Sequence, residues 1–559
     1  MFSAWHVVPK AIATLLSYEA ERLAMRSLNP SARNTSKARR MRRALLRFNR
    51  SGGRLAGMPV LALMYPSPTL ADLGNQLGAP ADATAQQVVE AVSQRLQPLL
   101  RKVTAGAPSA GPEDERWYWA APILLDRARG RGGQWWSRDE LARHWSPEAN
   151  EEDADGAQSD EGWEDHVAEA RKVLAGWRPD GKPPGDLAEV LAKMVLAGPA
   201  TCGLRALCRV ATGAASSDNV AVMDAAAAIG GAFRSLFNRP EAMAIIRSTT
   251  GKTPYWQAVL DYGLAGGLTA VVDEYAHVLR DAQGLFDASL EEKAARLSEA
   301  MAEALTLRTS RQQTARVGST AEGGVAFHAE QLRTHFALRF GQQTSKDETA
   351  VRSEQVRTAF NSPFWPFVLA STSVGQEGLD FHSYCHAVVH WNLPSNPVDM
   401  EQREGRVHRY KNHAVRKNVA RAHGSQALRQ SGGDPWELLF EIARRDNAAA
   451  NHGGLVPHWI FPQPGGAAIE RHVPALPLSR DIARLEALRH SLAVYRMVFG
   501  QPRQDDLLAY LVEQVPAEVL EEVADLLEID LRPRWPITKS DKKHKISVRA
   551  KDEEVLEEV

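Results

Sequence analysis

The sequence predicts an α/β fold: a parallel-sheet lobe with a large, mostly helical insertion and a helical C-terminal extension. Three observations predict it. Two short, nearly continuous apolar runs, "FVLAST" (367–372) and "HAVVHWN" (386–392), are bounded by turn signals, as strands buried on both faces are. Ala- and Leu-rich patterns such as "DLAEVLAKMVLAG" and "VMDAAAAIGGAFRSLF" run through residues 55–310 at helical spacing. Farther on, Ile482, Leu485, Leu488, Leu492, Tyr495 and Val498 recur every three or four positions, which predicts one long amphipathic helix ended by Gly500 and Pro502.

In chain order, residues 2–25 read as a strand remnant entering a helix whose stripe is Ile12, Leu15 and Leu16, continued by Ala20, Leu23 and Ala24. The basic segment "RNTSKARRMRRALLRFNR" (33–50) has two readings. It is a solvated, linker-like helix, or Arg39, Arg40, Arg42 and Arg43 contact a nucleic-acid backbone and release counterions. Residues 103–115 and 147–165 are biased in composition and are expected to be mobile loops. "AEQLRTHFALRFG" (329–341) and "SEQVRTAFN" (353–361) look like helices. The tail "KSDKKHKISVRAKDEEVLEEV", basic and then acidic, is expected to be disordered.

A chain of 559 residues with 44% hydrophobic and 24% charged residues is ordinary globular protein. Its formal net charge of -1 offers no global attraction for nucleic acid, so any basic footprint must be local. Cys202, Cys208 and Cys385 are too scattered for a disulfide framework or a short-spaced zinc site. The N-terminus lacks a basic region followed by an unbroken apolar core, and "VAVMDAAAAIGGAF" is shorter than a membrane span. The expectation is a soluble, cytoplasmic protein with no membrane contact.

The chemistry concentrates in residues 367–413. One strand ends at Ser371 and Thr372, and the chain turns through Gly375 and Gly378 to Asp380. A second strand ends near Asn392, and a helix opens near Pro397 and Asp399. Then comes "EQREGRVHRYKNH" (401–413), with Gln402, Arg403, Gly405, Arg406 and Arg409. In open α/β sheets ligands bind at the carboxyl ends of strands, and glycines there let backbone N–H groups approach a phosphate. Arg406 and Arg409, three apart, are expected to share a helix face and to aim two guanidinium groups at one polyphosphate, with Gln402 close by.

The pattern S-T-S-x-G-x-E-G-x-D followed by Q-R-x-G-R-x-x-R resembles motifs V and VI of superfamily-two helicases, and the spacing over 325–420 is closest to Swi/Snf-type ATPases and their bacterial relatives. "FSAWHVVPKAIATLLSYE" looks like motif IV, which opens the same second RecA-like lobe. The resemblance implies that Arg406 and Arg409 meet the ATP γ-phosphate as arginine fingers. It implies that Gln402, Arg403 and Gly405 belong to the nucleotide-facing motif. Gly378 and Asp380 would lie in the loop coupling nucleotide to nucleic acid, with Ser371 and Thr372 at its start. The implied partners are DNA rather than RNA, ATP with Mg2+, and a first RecA-like lobe. The implied organisation is a lobe start at 1–30, a helical insertion at 31–320, the rest of the lobe at 321–425, a helical extension at 426–535 and a tail at 536–559.

The first lobe of such a motor supplies a phosphate loop and an acidic pair for magnesium ahead of motif IV, yet motif IV begins here at residue 2. The sequence therefore looks like the C-terminal half of a motor, whose first lobe is a separate polypeptide or has been lost from the reading frame. The rival reading is a catalytically inactive helicase-like scaffold that binds nucleic acid or a protein. Two decoys lie downstream. Gly251-Lys252-Thr253 has Ile246 where the loop's first glycine belongs, and "VVDEYAH" (271–277) follows too closely and in a helical context. No metal site is expected: His386 and His390, four apart on a strand, stand about 13 Å apart. "WYWAAP" and "WWSRDE" read as helix-packing anchors ahead of base-stacking platforms.

Overall fold

The structure, a computed structural model, describes residues 1–28, 44–51, 54–75, 82–138, 141, 162–211, 217–251, 253–307, 311–319, 324–333, 335–340, 346–372, 379–427, 433–447, 455–475, 477–497, 516 and 519. The chain divides into two compact units: Met1–Cys385 with Gly424–Leu439, and His386–His423 with Phe440–Val559.

The first unit holds a three-stranded parallel sheet. Its strands are β1 (Phe2–Ser3), β6 (Ala337–Phe340) and β7 (Val368–Thr372), in the order β1-β7-β6. Phe2 pairs with Ser371 and Ala337 with Val368, so the first residues of the chain join strands more than 330 positions later. Parallel strands need covering helices. Helix Val7–Leu28 supplies one, packing on β6 and β7. Its buried Ser17 hydroxyl accepts from the Ala337 N–H and donates to the Ala337 carbonyl, both at 3.1 Å, which satisfies the edge of β6. Helix Lys346–Phe360 brings Val356, Ala359 and Phe360 against Phe340 and Phe381, with Phe381 edge-on to both rings.

The helical block has its own core. Helix Ala85–Val103 is representative: Val89, Val92, Leu96, Leu100 and Val103 recur at three- and four-residue steps and are buried. Thr84 and Gln87 close a capping box at its start. Each such side chain contributes about 1.5–3 kcal/mol through burial. Trp117, Trp119, Trp135 and Trp136 are all buried, as helix-packing anchors should be. Tyr65 packs on Trp135 and Trp136, and its hydroxyl donates to Asp126 at 2.8 Å. A Cβ on Gly132 (φ +71°) would lie 2.8 Å from that hydroxyl, so glycine is required there twice over. Helix Val220–Phe237 has the length and hydropathy of a membrane span, longer than the sequence reading allowed. It lies packed against helices Pro199–Val210 and Leu290–Leu305.

Several expectations are corrected. Residues 329–333 and 335–340, read as helix from the sequence, are not helical. β5 (Val325–Arg333) pairs antiparallel with β4 (Arg311–Ser319), and β6 follows. Cross-strand pairing overrides the helical propensity of Glu330, Gln331 and Leu332. "HAVVHWN" does contain a strand, β8 (Ala387–Val389). It pairs with β9 (Glu470–His472) in the second unit and not with β7. A short antiparallel pair, β2 (Arg50–Ser51) and β3 (Arg54–Leu55), precedes the helical block. Helix Asp481–Met497 occupies the predicted amphipathic stretch, while Gly500, Pro502, residues 147–161 and the tail from 536 lie outside the described residues.

Asp126 tests the helical core. It is fully buried and accepts from the Tyr65 hydroxyl, the Ser67 hydroxyl (2.6 Å) and the Thr69 N–H (2.7 Å). Burial still pushes its carboxyl up to about 6. Asp126→Ala leaves three buried donors without an acceptor, and we expect a loss of about 3 kcal/mol in chemical denaturation with an unchanged slope. A loss below about 0.5 kcal/mol would contradict this role.

Candidate nucleotide- and nucleic-acid-facing site

In the first unit the candidate residues cluster at the carboxyl end of β7. Ser371 and Thr372 are buried. The Ser371 hydroxyl donates to the Phe340 carbonyl at 3.1 Å, so it serves the sheet. Both side chains, expected from the resemblance at the start of the nucleic-acid loop, are thus buried within the first unit. Gly375 and Gly378 lie outside the described residues. Where the chain re-emerges, Asn361 clamps it: its amide donates to the Asp380 carbonyl at 2.9 Å, and its oxygen accepts from the Ser383 N–H at 3.4 Å. Phe381, buried beside Phe340, fixes the other side of Asp380.

In the second unit, helix Pro397–Gly405 starts at Asn396, whose side chain caps the Val398 N–H at 2.8 Å, with Pro397 in the first turn. Met400 and Arg403 form its buried face. Arg403 is 5% exposed, and its guanidinium donates to the Asn392 carbonyl at 3.1 Å. It holds the end of the β8 segment to the helix, and burial lowers its pKa. The resemblance expects Arg403 in the nucleotide-facing motif, and the structure buries it on that inner helix face. Gln402 is exposed on the same helix.

The helix stops at Gly405. Arg406 is its C-cap, and Arg409 lies in the turn beyond, so the two arginines do not share a helix face. Glycine's backbone entropy ends the helix there. The turn that follows is tightly specified. The Asn412 side chain and backbone N–H both donate to the Arg409 carbonyl, at 3.0 and 3.2 Å. Asn412 also accepts from the Val415 N–H and so caps helix His413–Ala427. The fully buried Arg416 donates to the Lys411 carbonyl at 2.7 Å. Lys411 takes a left-handed conformation (φ 47°), and its N–H donates to the His458 carbonyl at 2.7 Å. Arg406 and Arg409 are both half-buried on this frame.

One carboxylate anchors the frame from below. Glu404 accepts from Arg471 of β9 in a two-point fork at 2.5 and 2.7 Å, and from the His390 ring at 3.0 Å. A carboxylate only accepts, so His390 Nε2 carries the proton. Despite the penalty of burial, these donors hold the Glu404 carboxyl down at about 2. Sequence reasoning missed Glu404 and Arg471. The first is hidden inside the arginine motif, and the second arrives on a three-residue strand 67 positions later. Asn412 was findable as an N-cap signal ahead of "HAVRKNVA".

The decoys resolve locally. Gly251 (φ +66°) ends helix Pro240–Thr250, and the Arg247 guanidinium donates to the Thr253 carbonyl, so the segment caps a helix C-terminus. Asp273 lies within helix Leu268–Ala282, buried and ion-paired with Arg209. Arg39, Arg40, Arg42 and Arg43 lie outside the described residues. Among the described residues no three His, Cys, Asp or Glu side chains cluster as metal ligands.

Residues 303–411 match the family model of the helicase conserved C-terminal domain. This stretch is a superfamily-two helicase C-terminal lobe, RecA-like in fold, of the kind carried by ATP-dependent nucleic-acid enzymes. It includes β7, Asp380 and the arginine turn. No curated protein and no solved structure matches the chain.

Glu404 gives a pH prediction. Its carboxyl sits lower folded than unfolded, so its stabilisation is complete above about pH 4.5 and is lost as pH falls towards 2. With solvent reaching Arg471, we expect Glu404→Gln to cost about 1–2 kcal/mol at neutral pH and to flatten the pH dependence of the melting temperature between 4.5 and 2. A variant with the parent's acid profile would show that the fork contributes nothing.

Proposed function

We propose that this chain supplies the second lobe of an ATP-dependent helicase or translocase acting on duplex DNA in the cytoplasm. Arg406 and Arg409 would complete an ATP site whose phosphate loop and magnesium ligands belong to a first lobe. The observation that carries the reading is the turn 405–412, fixed by Glu404, Asn412, Arg416 and Lys411. A guanidinium on such a frame meets developing phosphoryl charge without reorganising at the moment of reaction.

The residues fit a polyphosphate. Guanidinium groups take phosphate oxygens in a fork. A Cβ built on Gly405 meets nothing within 4 Å, so the chain's own packing leaves open space beside Arg406. Gln402, exposed one turn before Arg406, can reach the same side as a neutral hydrogen-bonding group. Bound Mg2+ would neutralise charge on the β- and γ-phosphates, while this chain's part is to orient and stabilise. Asp380, steadied by Asn361 and Phe381, would stand in the loop that answers to nucleic acid. The sequence resemblance favours duplex DNA and a Swi/Snf-like track.

A second reading, an inactive scaffold that binds nucleic acid or a protein, is favoured by one observation. The chain's Gly251-Lys252-Thr253 follows a helix whose end it caps, and a phosphate loop needs a strand there.

DNA-stimulated ATP hydrolysis separates the two. The purified chain is mixed with an upstream-encoded polypeptide that carries a phosphate loop, or with an isolated first lobe from a helicase of the same superfamily. We expect activity in the mixture, lowered about a thousandfold in kcat by Arg406→Ala or Arg409→Ala and not restored by lysine. Hydrolysis that survives both substitutions would overturn the arginine roles. DNA binding with no hydrolysis in any mixture selects the scaffold.

A further inference from the structure

Tyr410 follows Arg409 directly, and its side chain is 43% exposed. It is braced from within. Its ring stacks on His458 with centroids 5.4 Å apart at 24°, and His458 stacks with Phe440 at 5.4 Å and 18°. Trp459, 45% exposed, meets Tyr410 edge-on at 6.0 Å. The Lys411 ammonium lies 4.5 Å from the Phe440 ring centroid and 5.5 Å from that of Tyr410. The Lys411 N–H bond to the His458 carbonyl ties the two halves of the cluster together. All of these residues belong to the second unit.

Packing alone does not account for leaving two large rings almost half in water on so rigid a base. Their surroundings select the ligand. From Gly405 to Gly433 the sequence has seven Arg and Lys residues and no Asp or Glu, in a chain whose net charge is -1. Lys417 and Arg421, four apart, are exposed on one face of helix His413–Ala427. Open aromatic faces next to cations are what single-stranded nucleic acid uses: bases stack on the rings while the backbone follows the charges. A free mononucleotide calls for an enclosing pocket, and these rings lie open.

We propose that Tyr410 and Trp459 form a base-stacking platform for a nucleic-acid strand, flanked by Lys411 and the basic face of helix His413–Ala427. This rests on the helicase reading and deepens it: the platform sits one residue beyond an arginine assigned to ATP. Strand binding and the arginine turn are thereby joined through the Arg409–Tyr410 peptide bond and the Lys411–His458 hydrogen bond.

The test is fluorescence anisotropy of the full chain with a labelled single-stranded oligonucleotide and with an abasic strand of equal length. We expect Tyr410→Ala to weaken binding to the base-bearing strand about tenfold and Trp459→Ala to weaken it several-fold. The slope of affinity against salt should stay unchanged, because rings release no counterions. Tyr410→Phe should bind like the parent, and none of these changes should matter on the abasic strand. Equal affinity of Tyr410→Ala for the base-bearing strand overturns the platform. So does an equal loss on both strands, or protection of Tyr410 by ATP and not by the oligonucleotide. A parent chain that binds neither strand overturns the platform and leaves the duplex-DNA reading to its own hydrolysis test. A parent that binds both strands, insensitive to both rings, removes the platform alone and leaves those rings to a protein partner.

Discussion

The charged fork between Glu404 and Arg471 is the constraint on which the turn carrying Arg406 and Arg409 depends. Glu404 occupies the last turn of its helix, one residue before the glycine that ends it and two before Arg406. A helix end is where backbone order normally frays. Here a carboxylate with three charge-assisted or ring donors pins that end to β8 through His390 and to β9 through Arg471. Asn412 and Arg416 then fix the next seven residues from the far side. Arg406 and Arg409 therefore stand on a backbone that has little freedom left.

The same economy runs through the first unit. A sheet of three strands is small, and its central strand, β7, ends in two buried hydroxyl residues, of which Ser371 bonds to the neighbouring strand β6. The segment 373–378, expected from the sequence to couple nucleotide to nucleic acid, follows them. Asn361, at the end of helix Lys346–Phe360, reaches across to hold that segment's return at Asp380 and Ser383. The large helical block is a separate core with its own polar centre at Asp126. It therefore adds substance to the lobe without drawing on the hydrophobic cluster around Phe340 and Phe381.

Much of this was legible in the sequence, and the exceptions have causes. β7, helix Pro397–Gly405 and helix Asp481–Met497 were readable because burial, a helix-starting Pro397 and a sustained apolar period each leave local signatures. β5 was read as helix because Glu330, Gln331 and Leu332 favour helices, and the pairing partner that decides the matter, β4, lies beyond an intervening loop. The geometry of the arginine motif was not legible. Spacing of three suggested a shared helix face, while Gly405 breaks the helix between Gln402 and Arg406. The burial of Arg403 was not legible because nothing local distinguishes a buried arginine from its exposed neighbours. Only the Asn392 carbonyl, eleven residues earlier, reveals it.

The central claim is that residues 405–412 are a preset frame that answers to ATP across two lobes. Hydrogen–deuterium exchange over 402–412 tests it most directly, in the chain alone and with a first lobe carrying DNA and a non-hydrolysable ATP analogue. The expected result is slow exchange at Lys411 and Asn412 in the chain alone, with further slowing at 405–409 once nucleotide is present. Fast exchange throughout the turn in the chain alone, or a pattern indifferent to nucleotide, would contradict the account.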